Sequence, residues 1–306
     1  MAYGSISRPG RTHSLQPRLY PLPSKLSKSG GAQSVSQDEC YALTLPFSAD
    51  LRPPVALETA MRQCFNNELE AGSTYPQRGP MSRQEFSSYF LANDLIVGLL
   101  FSKAELQLQQ VPINAEAEPD LLAEVLTEAI QNTSDNVLDF HGHLPTSGMA
   151  LQLDVASLIQ RVSTEGTVDW ESRWRFAYYI KPNYPGRSSH LCNAGFLVPP
   201  SARGSGLGSL AGLSFVHYGP AAGYIGSIFN LVYVSNVASM RIWESLGFEQ
   251  VGRIRKAGLL KTGPDGTEEF VDAWIVQGDF DKLTKIQEQR AAERLDQAAQ
   301  IEKKTI

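Results

Sequence analysis

The chain has no apolar run approaching the ~18 residues that a membrane-spanning helix requires. The longest candidate, around residues 95–101, is far shorter, so no membrane association is expected. Cysteine is scarce: Cys40, Cys64 and Cys192 are the only three in 306 residues, an odd number without metal-type spacing. A disulfide framework is therefore not expected and a reducing compartment is favoured. Each cysteine reads first as a small buried hydrophobe. A basic excess is also lacking. With 27 Lys and Arg against 32 Asp and Glu, the net charge is -5, which argues against a nucleic-acid partner. His141 and His143 form an isolated pair with no third ligand nearby, so no metal is expected.

Acidic residues are missing from the first 37 positions, which carry Arg8, Arg11, Arg18, Lys25 and Lys28 among many serines. Such a bias fits a mitochondrial transit peptide. It also fits a disordered basic tail, and Pro9, Pro17, Pro21 and Pro23 work against an amphipathic helix. Cytoplasm and mitochondrion both stay open. Residues 1–40 are read as this tail.

What is present is a 42% hydrophobic chain, enough for one sizeable core. Leu57, Ala60, Met61, Cys64, Phe65 and Leu69 follow helical period, predicting a helix over 55–70. Ser82 and Glu85 make a capping-box pattern ahead of Phe86, Tyr89 and Phe90, which predicts a second helix. The run 95–101 reads as a buried strand. Residues 102–172 are more polar and less periodic, apart from a helical pattern through Leu121, Leu122, Val125, Leu126 and Ile130. They read as an insertion, partly disordered. From Trp174 the pattern alternates, predicting strands at 174–180, 192–198 and 225–234, with further strands at 250–255 and 270–276. Helices are expected at 207–218 and 236–246. Residues 281–306 read as an exposed charged helix outside the core. The domain proper is then 41–280, a mixed α/β layer architecture of α+β type.

The informative segment runs from Gly195 to Gly208. A strand feeds a turn containing Arg203, Gly204, Ser205, Gly206, Leu207 and Gly208, and the turn opens a helix. Backbone N–H groups and the positive helix end converge there, which makes an anion cradle. A Walker loop would need Gly-Lys-Ser/Thr at this point. A dinucleotide fingerprint would need glycine where Ser209 stands. The spacing Arg203-x-x-Gly206-x-Gly208 instead resembles the pyrophosphate signature of GNAT acetyltransferases. The run from Asn236 to Phe248, an Asn opening a helix that ends in Leu-Gly-Phe, is similar to the second signature of that superfamily.

Longer strings sharpen the resemblance. Residues 179–184, 192–198, 227–234 and 69–77 look like fungal N-acetyltransferases acting on proline analogues such as L-azetidine-2-carboxylate. The resemblance spans about 57–101 and 173–280. It implies a GNAT fold, a mixed central sheet flanked by helices in which the fourth and fifth strands splay apart and admit acetyl-CoA. It assigns cofactor contacts to Phe196, Leu197, Val198, Arg203, Gly204, Ser205, Gly206, Leu207, Gly208, Ser209 and Asn236. It assigns catalysis and substrate contact to Asn193 and Asn230, with Leu231 and Tyr75 completing the acceptor site and Glu68 and Glu70 as further wall candidates. A neutral amide can donate and accept, which suits an imino acid. The implied partners are a small imino or amino acid and a second copy of the chain in a homodimer.

One position departs from the superfamily. Where many members carry an acidic tyrosine seven residues after the motif asparagine, this chain has Trp243, whose indole is a donor only. The thiolate, with a pKa of about 8.5, would then leave as the anion or take a proton from water. His190 is a base candidate and Cys192 a candidate reactive thiol, both by proximity to Asn193. Transfer to another small amine or a protein amine, and a non-catalytic binding module, are the alternative readings.

Overall fold

A computed structural model describes residues 10, 14–22, 40–106, 121–133, 148–165 and 168–305. Its centre is one nine-stranded sheet in the order β4-β1-β2-β3-β5-β6-β7-β9-β8. The strands are β1 (Arg18–Pro21), β2 (Cys40–Phe47), β3 (Asp94–Ser102), β4 (Met149–Ala150), β5 (Trp174–Pro182), β6 (Leu191–Leu197), β7 (Gly226–Tyr233), β8 (Glu249–Leu260) and β9 (Glu269–Asp279). All neighbours pair antiparallel except β6 and β7, which are parallel.

Helices cover both faces. On one side lie α1 (Val55–Ala71), α2 (Arg83–Phe90), α3 (Leu121–Thr133), α4 (Val155–Glu165) and the single turn α5 (Trp170–Arg173); on the other lie α6 (Leu207–Ala221), α7 (Val237–Leu246) and the start of α8 (Phe280–Thr305). Strand residues divide by parity: Leu43, Leu45, Val97 and Tyr179 face the first layer, Ala42, Ile96 and Tyr178 the second. Because both faces are covered, β3 reads as a continuous apolar run rather than an alternation. The capping box at Ser82 and Glu85 is made in both directions.

Three expectations are corrected. Residues 18–21 are not part of a disordered tail. They form β1, with Leu19 and Tyr20 fully buried, and the Tyr20 hydroxyl lies 2.9 Å from His217 Nδ1 on α6. Pro17 precedes this strand and Pro21 ends it, rather than breaking a helix. The second correction is α8, whose first turn belongs to the core, since Phe280 and Leu283 are 1% exposed. Third, the stretch 102–172 contributes structure beyond one helix: α3 and α4 bury Leu122, Leu126, Leu158 and Val162 in the same core as α1 and α2. His141 and His143 fall outside the described residues. Strand β2 escaped the sequence pattern because seven of its eight residues are buried, leaving no alternation to read.

The decisive feature is a break in the sheet. β6 and β7 pair only at Leu191–Gly226 and Cys192–Ser227, and then diverge. Farther along β7 the ladder to β9 slips: three steps from Phe229 to Val232 oppose two from Val276 to Trp274. This is a β-bulge at Asn230–Leu231, and bulges re-aim side chains.

Candidate active site

The parting of β6 from β7 opens a cleft of about 740 Å³. Its floor is aromatic: Phe196 packs on Trp243 and Phe229, with ring centres 5.0 and 6.1 Å apart. Among its other lining residues are Asn193, Asn230, Tyr75, Glu68, Arg203 and Asn236. Residues separated by more than 150 positions thus share one cavity.

Strand parity identifies which backbone groups face the gap. The Asn183 N–H donates to Leu191 O at 2.8 Å, so the odd positions of β6 bond toward β5. The even positions, Phe196 and Val198 among them, turn toward the side that β7 has left. Two of the carbonyls on this edge are already used. The Tyr75 hydroxyl donates to Phe196 O at 2.5 Å, and Arg203 Nε donates to Val198 O at 3.1 Å. The free capacity of the edge is therefore chiefly N–H, which suits a ligand bearing carbonyl oxygens.

At the end of β6, Pro199 and Pro200 stop the ladder and a short 3₁₀ turn (Pro200–Ala202) leads to the glycines. Gly204 and Gly206 adopt φ of +75° and +85°, with no atom within 4 Å of where a Cβ would stand. Gly206 caps α6 without any side-chain bond, so the first-turn N–H groups keep their donor capacity. Gly208 lies close against Ile242. The open glycine turn, uncapped helix end and N–H edge together fit a phosphate-bearing, carbonyl-bearing ligand.

Not every expected residue faces the cleft. Gly204, Gly206, Gly208, Ser209, Leu197 and Asn236 line it, whereas Leu207 is buried in the core and Ser205 Oγ donates back to Ala202 O at 2.5 Å. Arg203 is ion-paired with Glu68, which also accepts from Thr74 Oγ1 at 3.2 Å. Asn236 accepts from the Ser239 N–H at 3.1 Å, as a helix cap does. Trp243 Nε1 donates to Ser239 Oγ at 3.0 Å, so it has no proton to spare for a leaving group. His190 does not line the cleft. Cys192 is fully buried, and burial pushes its thiol well above the usual range, which removes it as a nucleophile.

Two neighbours of Asn230 were not singled out in the sequence. Asn183 and Asn230 exchange amide hydrogen bonds, at 3.1 and 2.6 Å, and the Tyr184 hydroxyl lies 3.5 Å from Asn230 Oδ1. The Tyr-Ile-Lys-Pro-Asn-Tyr string contained both, yet only the tertiary pairing reveals their partner. Lys181 does not itself line the cleft. It lies opposite Asn193 on the same face, with Nζ 4.6 and 4.8 Å from the ring centres of the lining residues Tyr179 and Tyr89. It has no carboxylate partner among the described residues, and burial lowers its pKa.

No family model matches the chain. It is 31% identical over 243 residues to N-acetyltransferase aca1 of Schizosaccharomyces pombe, covering 79% of this chain and 90% of that protein. It is 30% identical over 241 residues to Protein SPT10 of Saccharomyces cerevisiae, again 79% of this chain but 34% of that longer protein. Among solved structures, a GCN5-related N-acetyltransferase from Kribbella flavida aligns over 77% of this chain and 97% of its own, with 16% identity and a TM-score of 0.47. No helix among the described residues is long and apolar enough to cross a membrane, and no cluster of three or more metal-ligand side chains occurs among them. With a relative of this identity matched over nearly its full length, the chain belongs to the N-acetyltransferase family that includes aca1.

Proposed function

We propose that the chain transfers acetyl from acetyl-CoA to the nitrogen of a small amino or imino acid, with proline analogues such as L-azetidine-2-carboxylate as the test acceptors. The observation that carries this reading is the parted β6–β7 edge ending in the uncapped glycine turn. Acetyl-CoA, when bound, supplies an acyl group activated as a thioester. The N–H groups of Leu207, Gly208 and Ser209 would hold its pyrophosphate, with Arg203 at the mouth once it exchanges Glu68 for phosphate. The N–H groups of Phe196 and Val198 would hold the carbonyl-rich arm.

The chain's own contribution to transfer is positioning and electrostatics. Asn193 and Asn230 stand on the two strand edges that bound the gap and orient the acceptor between them. Phe196, Phe229 and Trp243 exclude water from one wall. Trp243 supplies no phenol at the superfamily's position, and the thiolate would depart as the anion or take its proton from water. Lys181, a half-buried cation behind the lining residues Tyr89 and Tyr179 and without a carboxylate partner among the described residues, supports an acceptor that carries its own carboxylate. That favours an amino acid over the side-chain amine of a protein lysine.

Exposed Phe270, Val251 and Leu259 on the late hairpin support a second copy of the chain as partner. Thiol release from acetyl-CoA is the test of function, with L-azetidine-2-carboxylate, L-proline, their carboxamides and a lysine-bearing peptide as acceptors. Turnover with the free acids alone is expected. Equal turnover of the carboxamides, or turnover of the peptide only, would overturn the acceptor assignment.

A further inference from the structure

The hydrogen bonds around Asn230 define what that side chain can offer a ligand. A primary amide has two N–H donors and one oxygen with two lone pairs. Asn230 Oδ1 receives an N–H from Asn183 at 3.1 Å and faces the Tyr184 hydroxyl at 3.5 Å. One of its N–H groups is given to Asn183 Oδ1 at 2.6 Å. A reciprocal amide pair of this kind uses the N–H that lies syn to the oxygen on each partner. The other N–H of Asn230 points away from Asn183. The pair with Asn183 takes one lone pair and one N–H, the Tyr184 hydroxyl faces the second lone pair, and one donor is left over, at a bulge that lines the cleft.

Asn183 is well placed to impose this orientation. It follows β5 directly, and its backbone N–H is tied to Leu191 O. The amide is held by a segment anchored on β6, while Asn230 stands on β7. The pair therefore bridges the two strands close to where they part.

We infer that Asn183 is a positioning residue that, together with the Tyr184 hydroxyl, turns Asn230 into a one-way donor, so that Asn230 meets an oxygen of the bound reactants rather than a hydrogen of the amine. The consequence for transfer is direct. The attacking nitrogen must keep its lone pair free, and an amide oxygen aimed at it would only hold a hydrogen. A fixed N–H instead stabilises charge on oxygen, and needs no reorientation as that charge develops. This inference rests on the cleft being the site of acetyl transfer.

Substitution at both residues tests it. Asn230→Asp keeps the shape but removes the donor, so kcat is expected to fall about 100-fold, as far as in Asn230→Ala. An Asp variant that keeps activity within about threefold, when one lost donor should cost far more, would sink the donor assignment. Asn183→Ala is expected to lower kcat about tenfold or more with little change in KM. The double variant Asn183→Ala/Asn230→Ala should be no slower than Asn230→Ala alone, because the two act through one group. Multiplying losses would show that Asn183 acts by another route and would overturn the inference.

A readout independent of turnover guards against a variant that does not fold. In the ¹⁵N-labelled wild-type protein, the side-chain amide of Asn230 should be as rigid as ordered backbone, with an order parameter of about 0.85 that falls in Asn183→Ala. A wild-type value below about 0.6, or one that Asn183→Ala leaves unchanged, overturns the inference even if acetyl transfer is established. A rigid amide that Asn183→Ala loosens, in a protein that acetylates no acceptor, leaves the inference standing and removes the functional reading.

Discussion

Position 230 illustrates how little a residue's type says about its use. An asparagine in an otherwise apolar strand was legible as a site candidate, because a buried amide needs partners. The partners themselves were not legible. Asn183 and Tyr184 lie nearly fifty positions away, and no spacing rule links a turn after one strand to a bulge in another. Replacing Asn230 by Ala should lower kcat about 100-fold. The dissociation constant for acetyl-CoA, read by calorimetry, should stay close to that of the wild type; equal loss of both would make the residue a cofactor contact. His217 offers a second prediction. Burial, with Arg18 adding to it, lowers its pKa from 6.5 to about 4. The neutral ring is the form the fold selects, hydrogen-bonded through Nδ1 with the Tyr20 hydroxyl. A depressed folded pKa means that this stability is present above pH 6.5 and is lost as pH falls toward about 4. The amount is on the order of 3 kcal/mol. Thermal midpoints between pH 7 and pH 4 should drop less in His217→Gln, which cannot titrate, than in the wild type. Parallel curves would place the acid-sensitive group elsewhere.

The elements nearest the site were the easiest to read. The glycine turn, α6 and α7 carry their own punctuation: Gly206 before one helix, Asn236 and Gly247 at the ends of the other. Such caps are local chemistry, so a short window contains them. Gly206→Ala tests the turn as an element. With φ at +85° and open space around the Cβ, strain rather than collision sets the cost, about 1–2 kcal/mol. The thermal midpoint should fall modestly while acetyl-CoA binding weakens by tenfold or more, since the added methyl stands where a phosphate would approach. Unchanged affinity would remove the turn from the cofactor site. Strands β1 and β2 were harder. β1 is four residues long in a basic, proline-rich context, and its burial depends on Thr44, His217 and Tyr218, none of them nearby in sequence.

For the molecule as a whole, the apolar residues left outside are as informative as the core. Phe270 is 64% exposed and Val251 50%, both on the β8–β9 hairpin at the sheet's edge. Edge strands with apolar surface invite pairing. Sedimentation equilibrium should therefore give twice the chain mass, and Phe270→Lys should shift it toward the single chain. A wild-type protein that sediments at the single-chain mass would remove the homodimer. The sequence by itself determined the family resemblance, the glycine turn and the helices that flank it, because each rests on contiguous residues whose backbone demands are local. Tertiary structure alone decided that β6 and β7 part after two paired positions, that the bulge aims Asn230 into the gap, that Asn183 holds it there, and that residues 18–21 close the far side of the sheet. Those features depend on hydrogen bonds between segments tens to hundreds of positions apart, and such pairings exist only once the chain has folded.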